Sequence, residues 1–426
     1  MMESQSFRQL LRIGRSFAEL DSSELPKLPS PNSCIFKVPQ KFRVQDEAAY
    51  KPEIIAIGPY NHIDKENPHS MEDHKTPFLH RQPSYTLPDL IKAVQEVKAQ
   101  AIECYHDIRR DEVCDDDFVK MMILDDDFVE MMILDGCFIL ELLMRNADEV
   151  ARADKNDPIF SSAWIRSSLQ HDLILLENQI PYVVLLKLYS LTLEETRKAQ
   201  ASDELNKLVI RFFKSMLPHV RETRPGQAVS TASQGSQTDS SAQPRHILDL
   251  LRMNLLPKTT QREKAGNSPS WEFTSCITDL KEGGVYLKRG EVSDGLLDIQ
   301  FNNGNLEIPS FYIDENTYVL LRNMIAFEQC DGKSTQITSY VLLLDNLINS
   351  ETDVKILCNE GIINNVLGKN KELAQKISGM CKGVSISNFC YDGLCRECNL
   401  YVRKFWPRKK AILAGIVAGI VAWFYY

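Results

Sequence analysis

The chain has 426 residues, 43% of them hydrophobic and 25% charged, which is the composition of an ordinary globular protein and not of a disordered or fibrous one. A formal net charge of −9 and a body without clustered lysines and arginines argue against nucleic acid as a partner, because phosphate binding requires such clusters. Eleven cysteines without regular spacing predict mostly reduced thiols, and no early apolar run is long enough for a signal peptide, so we expect a cytosolic body.

A polar N-terminal arm, residues 1–34, precedes a segment that we expect to be extended. Pro39, Pro52 and Pro59 interrupt this segment, and proline favours extended segments and turns over helix. Residues 87–108 then show helical spacing. The first helix of the body is therefore predicted after about 86 residues of arm, turns and extended chain.

A direct repeat follows this helix. Residues 115–124 and 125–134 are two ten-residue units that differ only at Lys120 and Glu130. In one continuous helix, ten residues turn equivalent side chains by roughly 80°, so both copies cannot face the same groove. We expect a break or kink near 124–126, or an over-long helix whose first copy projects from the core. A calcium site is the alternative, but consecutive aspartates on a helix diverge and the ligand spacing of calcium loops is absent.

Apolar patterning predicts the core elements. Residues 136–144 and 169–188 are strongly apolar and predict core helices, with Pro181 kinking or dividing the second. Residues 284–288 predict a strand. The stretch 296–314 predicts a hairpin, because two apolar runs flank an Asn-Asn-Gly sequence whose residues tolerate positive φ. Helical periodicity resumes after it.

The last sixteen residues, 411–426, carry no charge and predict a membrane anchor. At 1.5 Å per residue they span roughly 24 Å, less than the hydrocarbon core of about 30 Å, so the predicted span is short. The alternative is a buried C-terminal helix, but a basic collar and an aromatic end favour the anchor. Its marking residues are Ala411, Gly415, Gly419, Trp423 and Tyr426, and the collar consists of Arg403, Lys404, Arg408, Lys409 and Lys410. The Gly415 and Gly419 spacing also predicts self-association through this helix.

These segments predict three regions. They are the arm at 1–34, a body at 35–405 that contains a flexible linker or loop at 224–244, and the collar with the anchor at 406–426. The predicted fold is mainly α, a single large helical domain with a small antiparallel β-hairpin or sheet element and a C-terminal transmembrane helix.

Candidate chemistry is sparse. The spacing of four early histidines fits no zinc ligand pair; they are His62, His69, His74 and His80. Cys390, Cys395 and Cys398 copy three cysteines of a plant-type iron–sulfur run, but no fourth follows, and only upstream Cys381 is left to complete a zinc set. Neighbouring His171 and Asp172 are expected to point apart on a helix. We find no phosphate loop or nucleophile elbow and predict no catalytic residue, cofactor or metal.

Several blocks, in order over 35–401, carry a resemblance. They include "IFKVPQKFR", "AYKPEIIAIGPYNH", "MMILDGCFILELL", "DLILLENQIPYVVL", "LLDIQFNNGNLEIPSFYID" and "LLRNMIAFEQC". The chain resembles the plant-specific proteins that carry domain of unknown function 247. The resemblance implies a largely helical domain with a hydrophobic C-terminal membrane segment, a recognition role in some grass relatives, and no established catalytic residues. It also implies that the second repeat copy, 125–134, occupies the family position and that the first is a local duplication.

Two functions remain open. The first is a non-enzymatic protein-interaction or recognition and signalling protein, anchored by one helix in the plasma membrane or endoplasmic reticulum, with a cytosolic body that binds an unknown protein partner. The second is an enzyme of unrecognised type with a site near Asp135 and Cys137 or near Glu177 and Asn178, because buried polar groups inside apolar stretches need partners. Their alternative role is to cap and cross-link core helices.

Overall fold

Helices dominate the computed structural model, which describes residues 32–62, 75, 85–106, 125–147, 162–217, 243–256, 273–290 and 295–405. Two short helices come first, α1 (Gln40–Arg43) and α2 (Pro59–His62), followed by α3 (Leu87–Glu103), α4 (Asp125–Ala147), α5 (Ala163–Asp172), α6 (Tyr182–Leu191) and α7 (Ala201–Phe212). After the segment around the predicted linker come α8 (Ile247–Leu255), α9 (Ile277–Glu282), α10 (Glu315–Asp331), α11 (Gln336–Leu347), α12 (Glu351–Asn359), α13 (Asn370–Cys381) and α14 (residues 392–405). The mainly α prediction is confirmed for the described residues.

The N-terminal strap, residues 33–58, is the first packed segment. Apart from α1 and a 3₁₀ turn at Ala48–Tyr50 it is irregular, as its prolines predict. Ile35, Ile55 and Ile57 are nevertheless fully buried. Burying an irregular chain requires partners for its main-chain N–H and C=O groups, because these groups lose water on folding.

Helices α3, α4, α6 and α7 pack against one another beneath the strap. The second repeat copy lies at the start of α4, where Phe128 and Met132 are fully buried. This burial agrees with its predicted place in the core. The first copy, 115–124, lies outside the described residues, so the break expected near 124–126 stays a prediction, although residues 125 and 126 already belong to α4.

Pro181 divides the second apolar stretch, as predicted. Helix α5 ends at Asp172, and Pro181 is the N-cap of α6, where its missing N–H is harmless. The nine residues between the two helices, 173–181, form a buried turn. The turn carries polar side chains into the core.

Two small sheets follow. Strands β2 (Gln300–Asn302) and β3 (Asn305–Pro309) form the predicted antiparallel hairpin, and Asn303 and Gly304 turn it with φ of 49° and 85°. Strand β1 (Tyr286–Gly290) pairs with β3 in parallel, and β4 (Phe311–Ile313) pairs in parallel with β5 (Ile363–Asn365). The purely antiparallel prediction was therefore incomplete, because parallel partners are joined by long connections that no local turn marks.

The C-terminal helices complete the core. Helix α10 is buried almost all round from Thr317 to Glu328 and contacts α5, α11 and the 3₁₀ turn of the strap. Helix α14 packs its aromatic side on the hairpin, where the Tyr401 ring lies 5.7 Å from that of Phe301 and 6.0 Å from that of Phe405. One continuous apolar cluster runs from the strap to this helix.

The predicted C-terminal transmembrane helix requires a correction. Throughout the described ranges, no helix combines the length and apolar character needed to cross a membrane. The anchor segment 411–426 lies outside those ranges, and its sixteen residues fall below the roughly 20 that a spanning helix needs. Over the described residues, the fold is therefore mainly helical with two small sheets and contains no membrane-spanning helix.

Candidate functional site

The buried turn between α5 and α6 is the most polar part of the core. Asp172, Glu177, Asn178 and Gln179 are all less than a tenth exposed. Such groups are unfavourable in a core unless they are hydrogen-bonded. Their partners lie mainly in the strap and in the turn itself.

Asp172 holds the second half of the strap. Its carboxylate accepts the main-chain N–H groups of Glu53 and Ile54, each at 2.8 Å, and of Ile55 at 2.9 Å. His171 Nδ1 also lies 2.9 Å from it, so the expectation that these neighbours point apart was wrong. Asp172 is the last residue of α5, where helix geometry no longer separates neighbouring side chains. With three N–H groups and an imidazole around it, this carboxylate positions main chain.

Glu177 and Asn178 hold two further points of the strap. Glu177 accepts the Val38 N–H and the Arg43 guanidinium. Asn178 Oδ1 accepts the Ile57 N–H at 2.7 Å, and its Nδ2 donates to the Ile55 carbonyl at 3.1 Å. The Asn178 amide therefore uses both its acceptor and its donor on the same extended segment.

Asp135 of α4 holds the end of the strap. One carboxylate oxygen accepts the Gly58 N–H at 2.7 Å, and the other lies 2.7 Å from Lys75 Nζ. Lys75 also donates to the Ala56 carbonyl, so the ammonium joins α4 to the strap. Nearby Cys137 is buried, and desolvation raises the pKa of its thiol to about 12, which keeps it protonated and inert near neutral pH.

Asn323 of α10 connects these groups to the C-terminal helices. Its Oδ1 accepts the Leu176 N–H at 2.9 Å, and its Nδ2 donates to the Ala49 carbonyl at 2.8 Å. One side chain therefore bonds both the buried turn and the strap. We name the set Asp135, Asp172, Glu177, Asn178 and Asn323 the strap clamp. Its five side chains all bind main chain, which fixes the irregular strap to helices from both halves of the protein.

A second polar group, the ionic cluster, lies beside the strap clamp. Arg245 donates to Asp331 through both terminal nitrogens, at 2.6 and 3.2 Å, and its guanidinium lies 4.9 Å from the Phe327 ring. Glu328 accepts the N–H groups of Ile337 and Thr338 at the start of α11. The remaining members are Asp249 and Arg252 of α8. The cluster ties α8 to α10 and α11.

His246 is the N-cap of α8 next to this cluster. Its Nδ1 accepts the Asp249 N–H at 3.2 Å, and its Nε2 donates to the Cys34 carbonyl at 3.0 Å. This assignment requires a neutral ring. Complete burial lowers the pKa of His246 to about 4, in agreement with that requirement.

The predicted site residues have different outcomes. Asp135, Glu177 and Asn178, proposed for the enzyme alternative, lie in one network, where they bind the strap. This is the cross-linking role that the sequence left open. Sequence reasoning did not place Asp172 with these residues. It also did not predict the ionic cluster, although three members of that cluster lie at helical spacing in "RHILDLLR": Arg245, Asp249 and Arg252.

The remaining predicted residues lie elsewhere. Arg403 and Lys404 are exposed on α14. The rest of the collar and the whole anchor lie outside the described residues, as do the early histidines other than His62. No group of three His, Cys, Asp or Glu side chains converges on a metal position in the described part of the chain.

Comparisons with known proteins agree with the resemblance. The UPF0481 protein At3g47200 of Arabidopsis thaliana is 28% identical over 412 residues, covering 88% of this chain and 78% of the relative. The putative UPF0481 protein At3g02645 of the same plant is 22% identical over 498 residues, covering 94% of this chain and 88% of the relative. No solved structure matches the chain significantly. The DUF247 family, described as plant proteins of unknown function, matches residues 35–415. The chain therefore belongs to the DUF247 family of plant proteins.

Proposed function

We propose that this protein is a non-enzymatic protein-binding module that acts in recognition or signalling. The polar groups that an enzyme hypothesis singles out are committed to main chain: Asp135, Glu177 and Asn178 each accept a strap N–H. A carboxylate used in this way has little freedom to act as a general acid or base. This commitment favours a structural role for the polar core and directs attention to the surface.

One surface combines exposed apolar and basic side chains, and this observation carries the proposal. Phe273 and Leu400 are 44% and 48% exposed, and the Asn399 amide joins their segments by donating to the Phe273 carbonyl at 3.1 Å. Arg403 and Lys404 follow on the same helix and are exposed. We name Phe273, Leu400, Arg403 and Lys404 the α14 surface.

The chemistry of the α14 surface indicates the partner. Aromatic side chains and arginine are enriched in the cores of protein interfaces, and a rim of opposite charge guides association. The partner is therefore a protein with an apolar centre and acidic side chains beside it. Tyr401 of helix α14 packs on Phe301 of the hairpin and stacks on Phe405, so the outer face of the helix is presented on a supported element.

Proximity labelling in plant cells tests this function. The full-length chain is compared with the double variant Phe273→Asp, Leu400→Asp and with the control Val366→Asp, whose parent side chain is 52% exposed elsewhere on the protein. We expect the control to label the same proteins as the wild type and the double variant to lose a defined subset of them. Identical sets for all three chains, with unchanged circular dichroism, would exclude the α14 surface as the binding site.

The predicted location in a membrane and self-association through Gly415 and Gly419 stay predictions. Both depend on residues that the structure does not describe.

A further inference from the structure

Cys34 and Cys104 lie side by side where the strap begins. The N–H groups of Cys34 and Ile35 both donate to the Cys104 carbonyl, at 2.8 and 2.9 Å, and the His106 N–H donates to the Ile35 carbonyl at 3.1 Å. These bonds form a parallel bridge between Ile35 and Tyr105. Residues that flank such a bridge face each other in pairs on one side of the two chains.

Side-chain contacts agree with this pairing. On one flank of the bridge, the rings of Phe36 and His106 lie 5.6 Å apart. On the other flank, Cys34 and Cys104 form the corresponding pair, and the Cys104 thiol donates to the Gln100 carbonyl at 3.3 Å. Neighbouring extended chains are about 4.8 Å apart, and a disulfide joins Cα atoms about 4.4–6.8 Å apart. The main-chain spacing of such a pair therefore lies within the range that a disulfide requires.

We propose that Cys34 and Cys104 form a redox modification site, in which a hydroperoxide converts the two thiols into an intramolecular disulfide. Nothing in the proposed protein-binding function requires this chemistry. All ten cysteines in the described residues are free thiols, so the structure represents the reduced state of the pair.

The reaction balances in two steps. The Cys104 thiolate attacks the terminal oxygen of the hydroperoxide, the O–O bond breaks, and the alkoxide leaves as an alcohol after it takes a proton. Cys104 is then a sulfenic acid. Cys34 gives up its proton and attacks the Cys104 sulfur, the S–O bond breaks, and hydroxide leaves as water. Two electrons from the two thiols thus reduce one hydroperoxide to one alcohol and one water.

The surroundings give the two cysteines different roles. Cys104 is half-buried, whereas Cys34 is fully buried. Interaction with the Cys34 side chain and, to a smaller extent, the Arg245 guanidinium lower the pKa of Cys104, whereas interaction with Cys104 and burial raise the pKa of Cys34. Reactive cysteines are typically partly exposed and close to positive charge. Cys104 is therefore the attacking thiol and Cys34 the resolving one.

Other cysteines of the core differ from Cys104. Burial raises the pKa of Cys395 and Cys398 to about 12 each, and these thiols remain protonated near neutral pH. Cys358 is half-buried like Cys104, but desolvation raises its pKa. Cys358 is therefore a matched control, because it has similar exposure without a thiol partner that stabilises the thiolate.

The disulfide would close a covalent link at a junction of three elements. Cys104 is the C-cap of α3, and Cys34 lies at the start of the strap. The Cys34 carbonyl also accepts a hydrogen bond at 3.0 Å from Nε2 of His246, the N-cap of α8. Oxidation would therefore fix the start of the strap to α3 and restrict its release from the strap clamp.

Peptide mapping of the full-length protein tests the site. The reduced protein is treated with a stoichiometric amount of hydrogen peroxide, alkylated and digested without reductant. We expect a peptide pair joined through Cys34 and Cys104 that dithiothreitol separates, and a loss of free Cys104 at least roughly tenfold faster than that of Cys358, because thiolate is the reacting form.

Variants assign the two steps. Cys34→Ser should leave Cys104 as a sulfenic acid that dimedone traps, Cys104→Ser should abolish both products, and Cys358→Ser should behave like the wild type. Equal rates for Cys104 and Cys358, or a disulfide that joins other cysteines, would overturn the proposal. The wild-type peptide map alone distinguishes these outcomes if a serine variant fails to fold.

Discussion

The ammonium group of Lys75 lies 2.7 Å from the carboxylate of Asp135, and both side chains are almost fully excluded from solvent. The same carboxylate accepts the Gly58 N–H at 2.7 Å. The Asp135 carboxylate therefore has two partners inside the core. Removing one partner of a buried ion pair is strongly destabilising, because the remaining charge keeps the desolvation penalty without its compensation.

Replacing Lys75 should consequently destabilise the protein. We expect Lys75→Met to lower the free energy of unfolding by about 3–5 kcal/mol, measured by urea denaturation with circular dichroism. Lys92→Met is the control, because Lys92 is exposed on α3 and surface substitutions usually change stability by less than about 0.5 kcal/mol. Equal midpoints for the two variants would show that the Lys75–Asp135 pair does not hold the strap.

The substitution Asn178→Asp tests the contribution of the Asn178 hydrogen bonds to stability without a change in side-chain size. The substitution keeps the shape but replaces the Nδ2 donor, which serves the carbonyls of Ile55 and Asp172, with an acceptor. A buried polar group that loses its partner costs about 1–3 kcal/mol, and more if it is charged, so we expect a loss of at least about 3 kcal/mol in urea denaturation. Asn364→Asp, at an exposed position of β5, should change little. A similar small change at Asn178 would contradict the assigned amide orientation.

His246 should make stability depend on pH. Burial lowers its pKa in the folded protein from the usual 6.5 to about 4, so the unfolded chain binds the additional proton between these values. The contribution is complete above pH 6.5 and is lost as the pH falls from 6.5 towards 4. One proton corresponds to a slope of up to about 1.4 kcal/mol per pH unit. We expect His246→Gln to be less stable than the wild type at pH 7.5 and to show a shallower slope of unfolding free energy between pH 6.5 and 4. Equal slopes for both chains would mean that His246 does not titrate in this window.

Some features of this structure could be predicted from the sequence, and others could not. The hairpin was predictable because its turn, Asn303-Gly304, is a local property of two adjacent residues. The pairing of Phe311 with Ile363 was not, since about fifty residues separate the two strands and no turn marks the partner. The polar residues of the strap clamp could be recognised in the sequence because their neighbours are apolar. Their partners could not be predicted, because the main-chain N–H groups of Ile54 or Ile57 are identical to those of any other residue.

Gly58 should be irreplaceable where the strap meets the buried turn. Its φ is +70°, and a Cβ atom there would lie 2.5 Å from the carbonyl oxygen of Gln179, a main-chain atom that cannot move aside easily. Gly332, the C-cap of α10, provides a matched control, since its φ is +67° but no atom beyond its chain neighbours lies within 4 Å of the position that a methyl group would take. Gly332→Ala should therefore show only the strain of a left-handed alanine, about 1–2 kcal/mol.

The difference in unfolding free energy between the two alanine variants measures the effect of the close approach between Gly58 and the Gln179 carbonyl. Gly58→Ala carries the same backbone strain and in addition a clash that must shift the strap or the turn, so its loss of unfolding free energy should exceed that of Gly332→Ala by about 2 kcal/mol or more. Because the Gly58 N–H donates to Asp135, this shift should also weaken the hydrogen bonds between the strap clamp and the strap. We therefore expect faster hydrogen exchange of the Ile57 and Gly58 amides. Equal destabilisation at both positions, with unchanged exchange in the strap, would mean that the strap is not held at this contact.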